Sequence, residues 1–239
     1  MPATTKAKSI ERDTLTVQPG YGFLKTSSVY RHPHAVRFAV YSSIKRVLDV
    51  VFAFLMLVLL APAFLIIAIV IKIDSPGPVL FRQERVGKNG RIFKILKFRS
   101  MTSDNNMRDR SCADKYTRVG AVLRRLSFDE LPQLFNVLVG QMSFVGPRPW
   151  VVEYWTNMNE EERRRSLVRP GITGLAQVKG RNGISIFQKI EYDLKYVENY
   201  SFLQDVKILF LTVKTVFAGD DVDAGKQGVM DDIRDLRRG

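Results

Sequence analysis

The chain has 239 residues, which is enough for one ordinary domain and a membrane segment, and its formal net charge is +13. This charge favours an anionic partner, whether nucleic acid, an acidic membrane surface or a molecule that carries phosphates. One cysteine, Cys112, excludes an internal disulfide, and both histidines, His32 and His34, lie near the N-terminus, which argues against a histidine-rich metal site in the core. A bound metal would need carboxylate ligands, and Mg²⁺ held partly by phosphate oxygens fits them.

The N-terminal segment, residues 1–41, is polar, mixed and poorly periodic, and it does not begin with a cleavable signal peptide. We expect an arm here, with a short ordered stretch near His34 to Tyr41.

An apolar run follows, in which the 22 residues from Val50 to Ile71 carry no charge and are interrupted by Pro62. A spanning helix needs about 20 such residues, so the length predicts a membrane segment. A buried soluble helix is the weaker alternative, because such helices usually keep a polar side. Pro62 removes a backbone hydrogen bond and favours a kink. Each half is then roughly 18 Å long, too short for a hydrocarbon core of about 30 Å.

Basic residues flank this run on both sides, with Lys45 and Arg46 before it and Lys72 after it. Because cationic segments stay on the cytoplasmic side, both ends favour that side. A re-entrant helix that bends at Pro62 satisfies length, kink and charge together, whereas a kinked single span with a tolerated proline is equally compatible with the residues. We expect Ser42 or Ser43 to cap this helix and the segment from Asp74 to Pro78 to end it.

Two β-prone runs, Val79–Val86 and Arg91–Met101, flank a Gly/Asn turn and predict a β-hairpin. Its cations outnumber its single acid, Glu84, so we expect an anion bound nearby; a solvated sheet face is the alternative. The cations are Arg82, Arg85, Lys88, Arg91, Lys94, Lys97 and Arg99.

Helical patterns dominate the remainder, with Phe202 and the apolar residues after it recurring at helical spacing. Packing against the core is the default interpretation of that last pattern, and contact with a membrane surface is its rival. We expect a polar loop at 102–118, helices at 119–139, 151–167, 186–197 and 202–217, loops at 144–149 and 169–171, and a charged tail from Ala218. Residues 160–165 predict an exposed, salt-bridged helix face.

The segment from Ser127 to Leu134 places two acids, Asp129 and Glu130, after two arginines, Arg124 and Arg125. Ser127 and Glu130 have the spacing of a capping box, which predicts a helix start whose first-turn acids complement the dipole. The alternative is chemical, since a carboxylate that its arginines keep ionised can attack phosphorus or hold Mg²⁺.

This segment and several others resemble a known family in fixed order. Ser127 to Leu134 is similar to the catalytic motif of the small monotopic polyprenyl-phosphate phosphoglycosyl transferases, which are bacterial sugar transferases, with Phe128 where leucine is usual. The resemblance covers about residues 42–217. The other matching segments are Lys45-Arg46-x-x-Asp49, Lys97-Phe98-Arg99-Ser100-Met101, Met142 to Pro149, Arg169 to Gly174, Gly180-Arg181-Asn182 and Asp193-x-x-Tyr196-Val197-x-Asn199.

The resemblance implies a mainly helical α+β, membrane-associated domain with a re-entrant membrane helix, a small β-hairpin and amphipathic surface helices. The expected divisions are an arm at 1–41, the re-entrant helix at 42–74, the catalytic domain at 75–217 and a charged tail at 218–239. The expected location is the cytoplasmic face of a bacterial inner membrane.

The resemblance also implies a reaction, in which a sugar-1-phosphate passes from a UDP-sugar to polyprenyl (undecaprenyl) phosphate and UMP is released. This step initiates surface polysaccharide or glycoconjugate assembly. Asp129 is then the nucleophile that forms an aspartyl–phosphosugar intermediate, and Glu130 with Asp129 holds Mg²⁺. The implied substrate-binding residues are Lys97, Arg99, Arg124, Pro147, Arg148 and Arg181, and the implied membrane or lipid residues are Lys45, Arg46, Asp49 and Pro62.

Two positions depart from the family pattern. Ala61 stands where many relatives have a serine before the proline, and Ile186 stands where some have a tryptophan. The sugar, the glycan pathway and the oligomeric state stay open, with a homodimer among the alternatives. A basic nucleic-acid-binding module would account for the charge but leaves the two acids unexplained, and a non-catalytic scaffold would most simply have lost Asp129.

Overall fold

The computed structural model describes residues 35–101, 116–180, 183–217 and Ile233. Most of the predicted arm, most of the polar loop, Arg181 and nearly all of the tail lie outside these residues. A mainly helical domain with little β-structure is confirmed. Its elements are α1 (Ala35–Asp74), β1 (Leu80–Val86), β2 (Ile92–Phe98), α2 (Arg118–Arg125), α3 (Gln133–Leu138), β3 (Ser143–Val145), α4 (Val152–Asn157), α5 (Glu160–Arg163), β4 (Gly171–Thr173), α6 (Leu175–Gly180), α7 (Ile186–Glu198) and α8 (Phe202–Phe217).

Helix α1 is the long apolar element, and its helical assignment runs through Pro62 to Asp74. In the described part of the chain it is the one helix long and apolar enough to cross a membrane, judged by length and composition. It begins at Ala35, so the prediction that Ser42 or Ser43 caps it was wrong: the Ser43 hydroxyl donates to the Ala39 carbonyl inside the helix. Its apolar side chains are exposed along the middle, at Val51, Phe52, Phe54, Leu55, Val58, Leu59, Leu65, Ile66 and Ile69.

The N-terminal part of α1 is attached to the rest of the domain by polar contacts. Lys45 forms a buried ion pair with Asp205 of α8. Arg46 donates to the carbonyls of Val137 and Leu138, at 2.6 and 2.9 Å, and so satisfies acceptors at the end of α3 that have no partner within the helix. Asp49 accepts hydrogen bonds from the hydroxyl of Ser143 and the backbone of Phe144, at 3.1 and 3.2 Å.

The C-terminal end of α1 is attached to the same domain. Arg99, just beyond β2, donates to the Ile71 carbonyl at 3.4 Å and to the backbone and hydroxyl oxygens of Ser75 at 2.6 and 2.7 Å. Asp74 accepts a hydrogen bond from the first turn of α2, at Val119. The two ends of α1 therefore contact one folded unit, and its exposed apolar middle lies between them.

Strands β1 and β2 form the predicted hairpin, in antiparallel register with Phe81 opposite Lys97 and Arg85 opposite Phe93. Because side chains alternate along a strand, Arg85 and Lys97 share the face that packs on the domain, whereas Arg82 and Lys94 are exposed on the other. The cations of the hairpin are thus divided between two faces.

Helix α3 connects the hairpin to α1. Its Asn136 accepts from the Leu96 amide at 3.0 Å and donates to the Lys94 carbonyl at 2.9 Å, which fixes β2. Val137 is fully buried in a cluster with Ala53 of α1 and with Phe93 and Ile95 of β2, joined by Met142.

Two short strands, β3 and β4, pair in parallel where the sequence predicted loops at 144–149 and 169–171. Three-residue strands are too short to show an alternating pattern, which explains the miss. Gly171 is required at this contact, because a Cβ added there would lie 2.1 Å from the Gly146 nitrogen.

The helix predicted over residues 151–167 is divided into α4, α5 and a 3₁₀ turn, Arg164–Leu167. Asn159 starts α5 with a capping box to Glu162, which the sequence analysis did not recognise. Arg164 pairs with Glu161 as predicted, but Arg165 is buried and pairs with Asp193 of α7 at 2.6 Å. The exposed charged face therefore ends before Arg165.

Helices α7 and α8 confirm the predicted helical patterns. In α8 only one line of side chains packs inward, with Ile208 and Asp205 buried, while Leu203 and Phe210 are 79 % and 73 % exposed. Packing against the core, the default interpretation of this pattern, explains only the buried line of side chains. The exposed apolar stripe fits the alternative, contact with a membrane surface.

The buried Arg165–Asp193 pair gives a stability prediction. Asp193→Asn leaves a buried guanidinium without its counter-charge, and we expect a loss of about 3–5 kcal/mol in the free energy of unfolding. The exposed pair is the matched control: Glu161→Gln should change it by less than about 1 kcal/mol. Chemical denaturation of both variants in detergent micelles measures the difference, and equal effects would contradict the structural role of Asp193.

Candidate active site

The two acids of the central motif lie on a 3₁₀ turn, Phe128–Glu130, between α2 and α3. Ser127 before it has a left-handed backbone, with φ at 58°, and makes no side-chain cap. The predicted capping box is therefore wrong, and α3 begins only at Gln133. The physical reason is that cations from two other elements bind the Glu130 carboxylate, so it does not return to Ser127.

Glu130 is the centre of the charged cluster. Its Oε1 atom accepts from the Lys97 ammonium at 2.5 Å and from the Arg148 guanidinium at 2.7 Å. Burial by itself would raise the pKa of Glu130, but the charges of Arg148 and Lys97 outweigh it and hold that pKa well below its usual range. Burial lowers the pKa of Lys97, against the attraction of Glu130. The glutamate thus remains a carboxylate.

Asp129 is adjacent but differently placed. It is 7 % exposed, and no hydrogen bond or ion pair reaches its carboxylate from the residues that the structure describes. Burial raises its pKa; Lys97 and Arg124 oppose the shift and the charge of Glu130 adds to it. Two neighbouring acids therefore have opposite pKa shifts, an arrangement typical of carboxylates with different chemical roles.

Arg148 is positioned through its backbone. The Pro147 carbonyl accepts from Gly171 at 3.0 Å, and the Arg148 carbonyl accepts from Arg165 at 2.7 Å. Arg165 lies with its guanidinium 4.0 Å from the centre of the Trp150 ring. Because Asp193 fixes Arg165 from the other side, a buried chain of contacts supports the loop that presents Arg148.

Arg165 is the functional residue that sequence reasoning missed, because it stands in a run of charges that is typical of an exposed helix. One signal was present: Asp193 is an acid inside a helix whose neighbouring positions are apolar, and such an acid needs a buried cation.

The structure brings Lys97, Arg124 and Arg148 together around Asp129 and Glu130, whereas Pro147 precedes Arg148 and its carbonyl binds Gly171. Arg124 acts on Asp129 through its charge and lies over the Tyr116 ring at 4.8 Å. Arg99 is separate, since its guanidinium contacts the end of α1. Lys45, Arg46 and Asp49 anchor the other end of α1, and Pro62 is exposed in its middle. Arg181 lies outside the described residues.

A metal would find few ligands here. In the described ranges no group of three or more His, Cys, Asp or Glu side chains is placed to hold one. Asp129 and Glu130 supply carboxylate oxygens, and both cations contact Oε1 of Glu130, which leaves Oε2. Mg²⁺ is commonly held by one or two carboxylates and completed by substrate phosphates, so the residues present fit that ion.

Comparison with known proteins gives the same family. Residues 40–219 match the bacterial sugar transferase family. A UDP-glucose:undecaprenyl-phosphate glucose-1-phosphate transferase from Caulobacter vibrioides is 45% identical over 189 residues, which are 74% of this chain and 71% of that protein. An uncharacterized sugar transferase, EpsL, from Bacillus subtilis is 41% identical over 181 residues, or 75% of this chain and 90% of that protein.

Other relatives are longer. A UDP-N-acetylgalactosamine-undecaprenyl-phosphate N-acetylgalactosaminephosphotransferase from Aeromonas hydrophila is 42% identical over 193 residues, and the match covers 75% of this chain but 45% of that protein. In each case the match takes in most of this chain. Because the family match covers most of α1, the hairpin and the turn that carries Asp129 and Glu130, the chain belongs to the bacterial sugar transferase family.

Proposed function

We propose that the protein transfers a sugar-1-phosphate from a UDP-sugar to polyprenyl phosphate and releases UMP, thereby starting assembly of a surface polysaccharide or glycoconjugate. The observation that carries the proposal is the arrangement around Glu130: two cations fix its carboxylate beside a buried Asp129, which no described residue pairs with or hydrogen-bonds. The names of the relatives from Caulobacter and Aeromonas give the same donor and acceptor classes.

The first half of the reaction uses Asp129 as the nucleophile. A carboxylate oxygen attacks the phosphorus that bears the sugar, a new P–O bond forms, and the bond from that phosphorus to the bridging oxygen breaks. UMP leaves with the electron pair, and the sugar phosphate remains on Asp129. In the second half an oxygen of polyprenyl phosphate attacks the same phosphorus, the aspartyl bond breaks, and the Asp129 carboxylate is restored.

The surrounding charges match this chemistry. Charge accumulates on phosphate oxygens as the phosphoryl group moves, and catalysis depends on groups fixed in advance to stabilise it. Lys97 and Arg148 are held by Glu130, so neither must reorganise. Mg²⁺ bound by Glu130 and Asp129 would supply further neutralisation of phosphate charge.

Helix α1 supports the membrane placement that we propose. Its 40 residues make a helix about 60 Å long, twice the thickness of a bilayer core. Both ends contact the same folded unit, while the middle is apolar and exposed. These contacts support a monotopic arrangement with both ends on the cytoplasmic side of the inner membrane, and the bend at Pro62 remains part of the proposal.

Asp129→Asn tests covalent catalysis. The amide keeps the size of the side chain but lacks the attacking charge, so UMP release should fall by about three orders of magnitude or more, with no sugar-phosphate adduct. Glu130→Gln should lose activity while still forming adduct slowly. Glu84→Gln, on the exposed face of the hairpin, is the control and should retain activity. Intact-protein mass spectrometry with UDP-sugars and Mg²⁺, without acceptor lipid, detects the adduct. Near wild-type turnover by Asp129→Asn would refute the mechanism.

The pH dependence tests the environment of Asp129. Attack needs the carboxylate, and burial raises the pKa of Asp129, so the rate of adduct formation should fall on acidification at a pH above the ordinary value of about 4. Arg124→Gln removes a charge that lowers this pKa, so the acid limb should move to higher pH. Rapid-quench measurements across a pH series give the acid limb of the wild type and that of Arg124→Gln. An acid limb below pH 4, or one that Arg124→Gln leaves in place, would disagree with this assignment.

Topology is tested by cysteine labelling in a Cys112→Ala background. Val36→Cys and Pro78→Cys, both exposed next to the ends of α1, should react with impermeant maleimide only from the cytoplasmic side, and Leu59→Cys, in its middle, should not react. Pro62→Leu should favour a spanning helix and abolish activity. Labelling of Val36→Cys or Pro78→Cys from the periplasm in the parent background would exclude the monotopic arrangement.

A further inference from the structure

Arg85 is a partly buried cation on the inner face of the hairpin. Its guanidinium donates to the Gln83 side-chain oxygen and, at 3.3 Å, to the Pro149 carbonyl, both of them neutral acceptors. Its Nε atom is buried without a hydrogen-bond partner. Throughout the described part of the chain, no carboxylate forms an ion pair with it. A partly buried guanidinium in this state lacks the compensation that such charges normally have.

The surroundings of Arg85 belong to the active site. Burial and the charge of Arg148 together lower the pKa of Arg85 to about 10, against the opposing charges of Glu130 and Glu153. Glu130 already binds Lys97 and Arg148. Lys97, Arg148 and Arg85 thus lie near Glu130, which binds the first two, and the side chain of Arg148 is 45 % exposed.

We propose that Arg85 is a phosphate-binding residue of this site and that, with Arg148, it forms a two-guanidinium position for a phosphate group of the substrate. A guanidinium fork matches phosphate oxygens, and a bound phosphate supplies the missing counter-charge and a partner for Nε. The inference rests on the proposed function. The nucleotide diphosphate and the lipid phosphate share this chemistry, and the test separates them.

The alternative is a purely structural role, in which Arg85 only holds the hairpin to the loop at Pro149 by a hydrogen bond. The two roles differ in what Arg85→Gln does to the protein without ligand. If the role is structural, the unliganded variant should be less stable than the wild type. A phosphate-binding residue would leave its stability unchanged or higher, because a charge next to Arg148 has been removed, and would lower the stabilisation that phosphate ligands give.

The experiment compares Arg85→Gln and Arg85→Lys with Arg82→Gln, which removes the same charge from the exposed face of the same strand. Calorimetry of the detergent-solubilised protein with Mg²⁺ measures the affinity for UMP and for inorganic pyrophosphate, and thermal unfolding is followed without ligand. Two kinetic arms follow: formation of the adduct from UDP-sugar, and its discharge to polyprenyl phosphate after UMP has been removed.

For Arg85→Gln we expect about 10-fold or greater weakening of UMP and pyrophosphate binding, a similar rise in KM for the UDP-sugar, and unchanged unfolding of the free protein. Arg85→Lys should recover part of the affinity, and Arg82→Gln should differ from wild type by less than about twofold. A defect confined to discharge, with nucleotide binding intact, would assign the same site to the lipid phosphate.

Wild-type behaviour in both kinetic arms and in binding, or destabilisation of the free protein without a change in affinity, would overturn the role of Arg85. If wild-type protein formed no adduct with any UDP-sugar, the proposed function would be wrong, and the pyrophosphate and UMP affinities would still decide whether Arg85 binds phosphate.

Discussion

A single carboxylate oxygen, Oε1 of Glu130, joins three separate parts of the chain. It accepts from Lys97 at the end of the hairpin and from Arg148 in the loop after β3, while its own backbone belongs to the turn before α3. Charge-assisted hydrogen bonds are about twice as strong as neutral ones, and here two of them converge in a mostly buried place. Removing the carboxylate would leave two cations facing each other. The position of Asp129, one residue earlier, therefore depends on this contact.

An ion pair also helps to position Arg148, one of the two cations that bind Glu130. Arg148 is held by its carbonyl through Arg165, and Arg165 is fixed by Asp193 and the Trp150 ring. Buried pairs of this kind contribute little net stability compared with apolar residues, but the loss of one partner is costly. The domain thus uses charge to fix positions, while its buried apolar side chains form separate clusters, two of them around α3 and α7.

The sequence predicted the elements with a strong local pattern. The hairpin and the helices α7 and α8 lie where periodicity and turn residues place them, and the end of α1 follows from the prolines after Asp74. The errors concern features decided by distant contacts. Ser127 does not cap a helix because Glu130 binds cations from elsewhere, and Arg165 is buried because α7 presents an acid to it.

The site itself was identified through motifs rather than geometry. Lys97, Arg124 and Arg148 lie near the two acids, and their role in binding substrate, which the resemblance implied, stays a prediction. Arg99 stands in the same segment as Lys97 but contacts α1, and spacing alone does not separate these two roles. Arg85 lies in an ordinary alternating strand, and only the structure distinguishes it from the exposed Arg82, through its inward face and its buried Nε.

The position of Arg99 has a mechanical consequence. It binds the carbonyl end of α1 two residues after Lys97, and that spacing corresponds to about 7 Å of extended backbone. If α1 lies in the bilayer as proposed, a change in its tilt or depth, which bilayers of different thickness impose on an apolar helix, would reach the lysine of the charged cluster through this short segment. The lipid composition of the membrane would then be a physical variable of the proposed site.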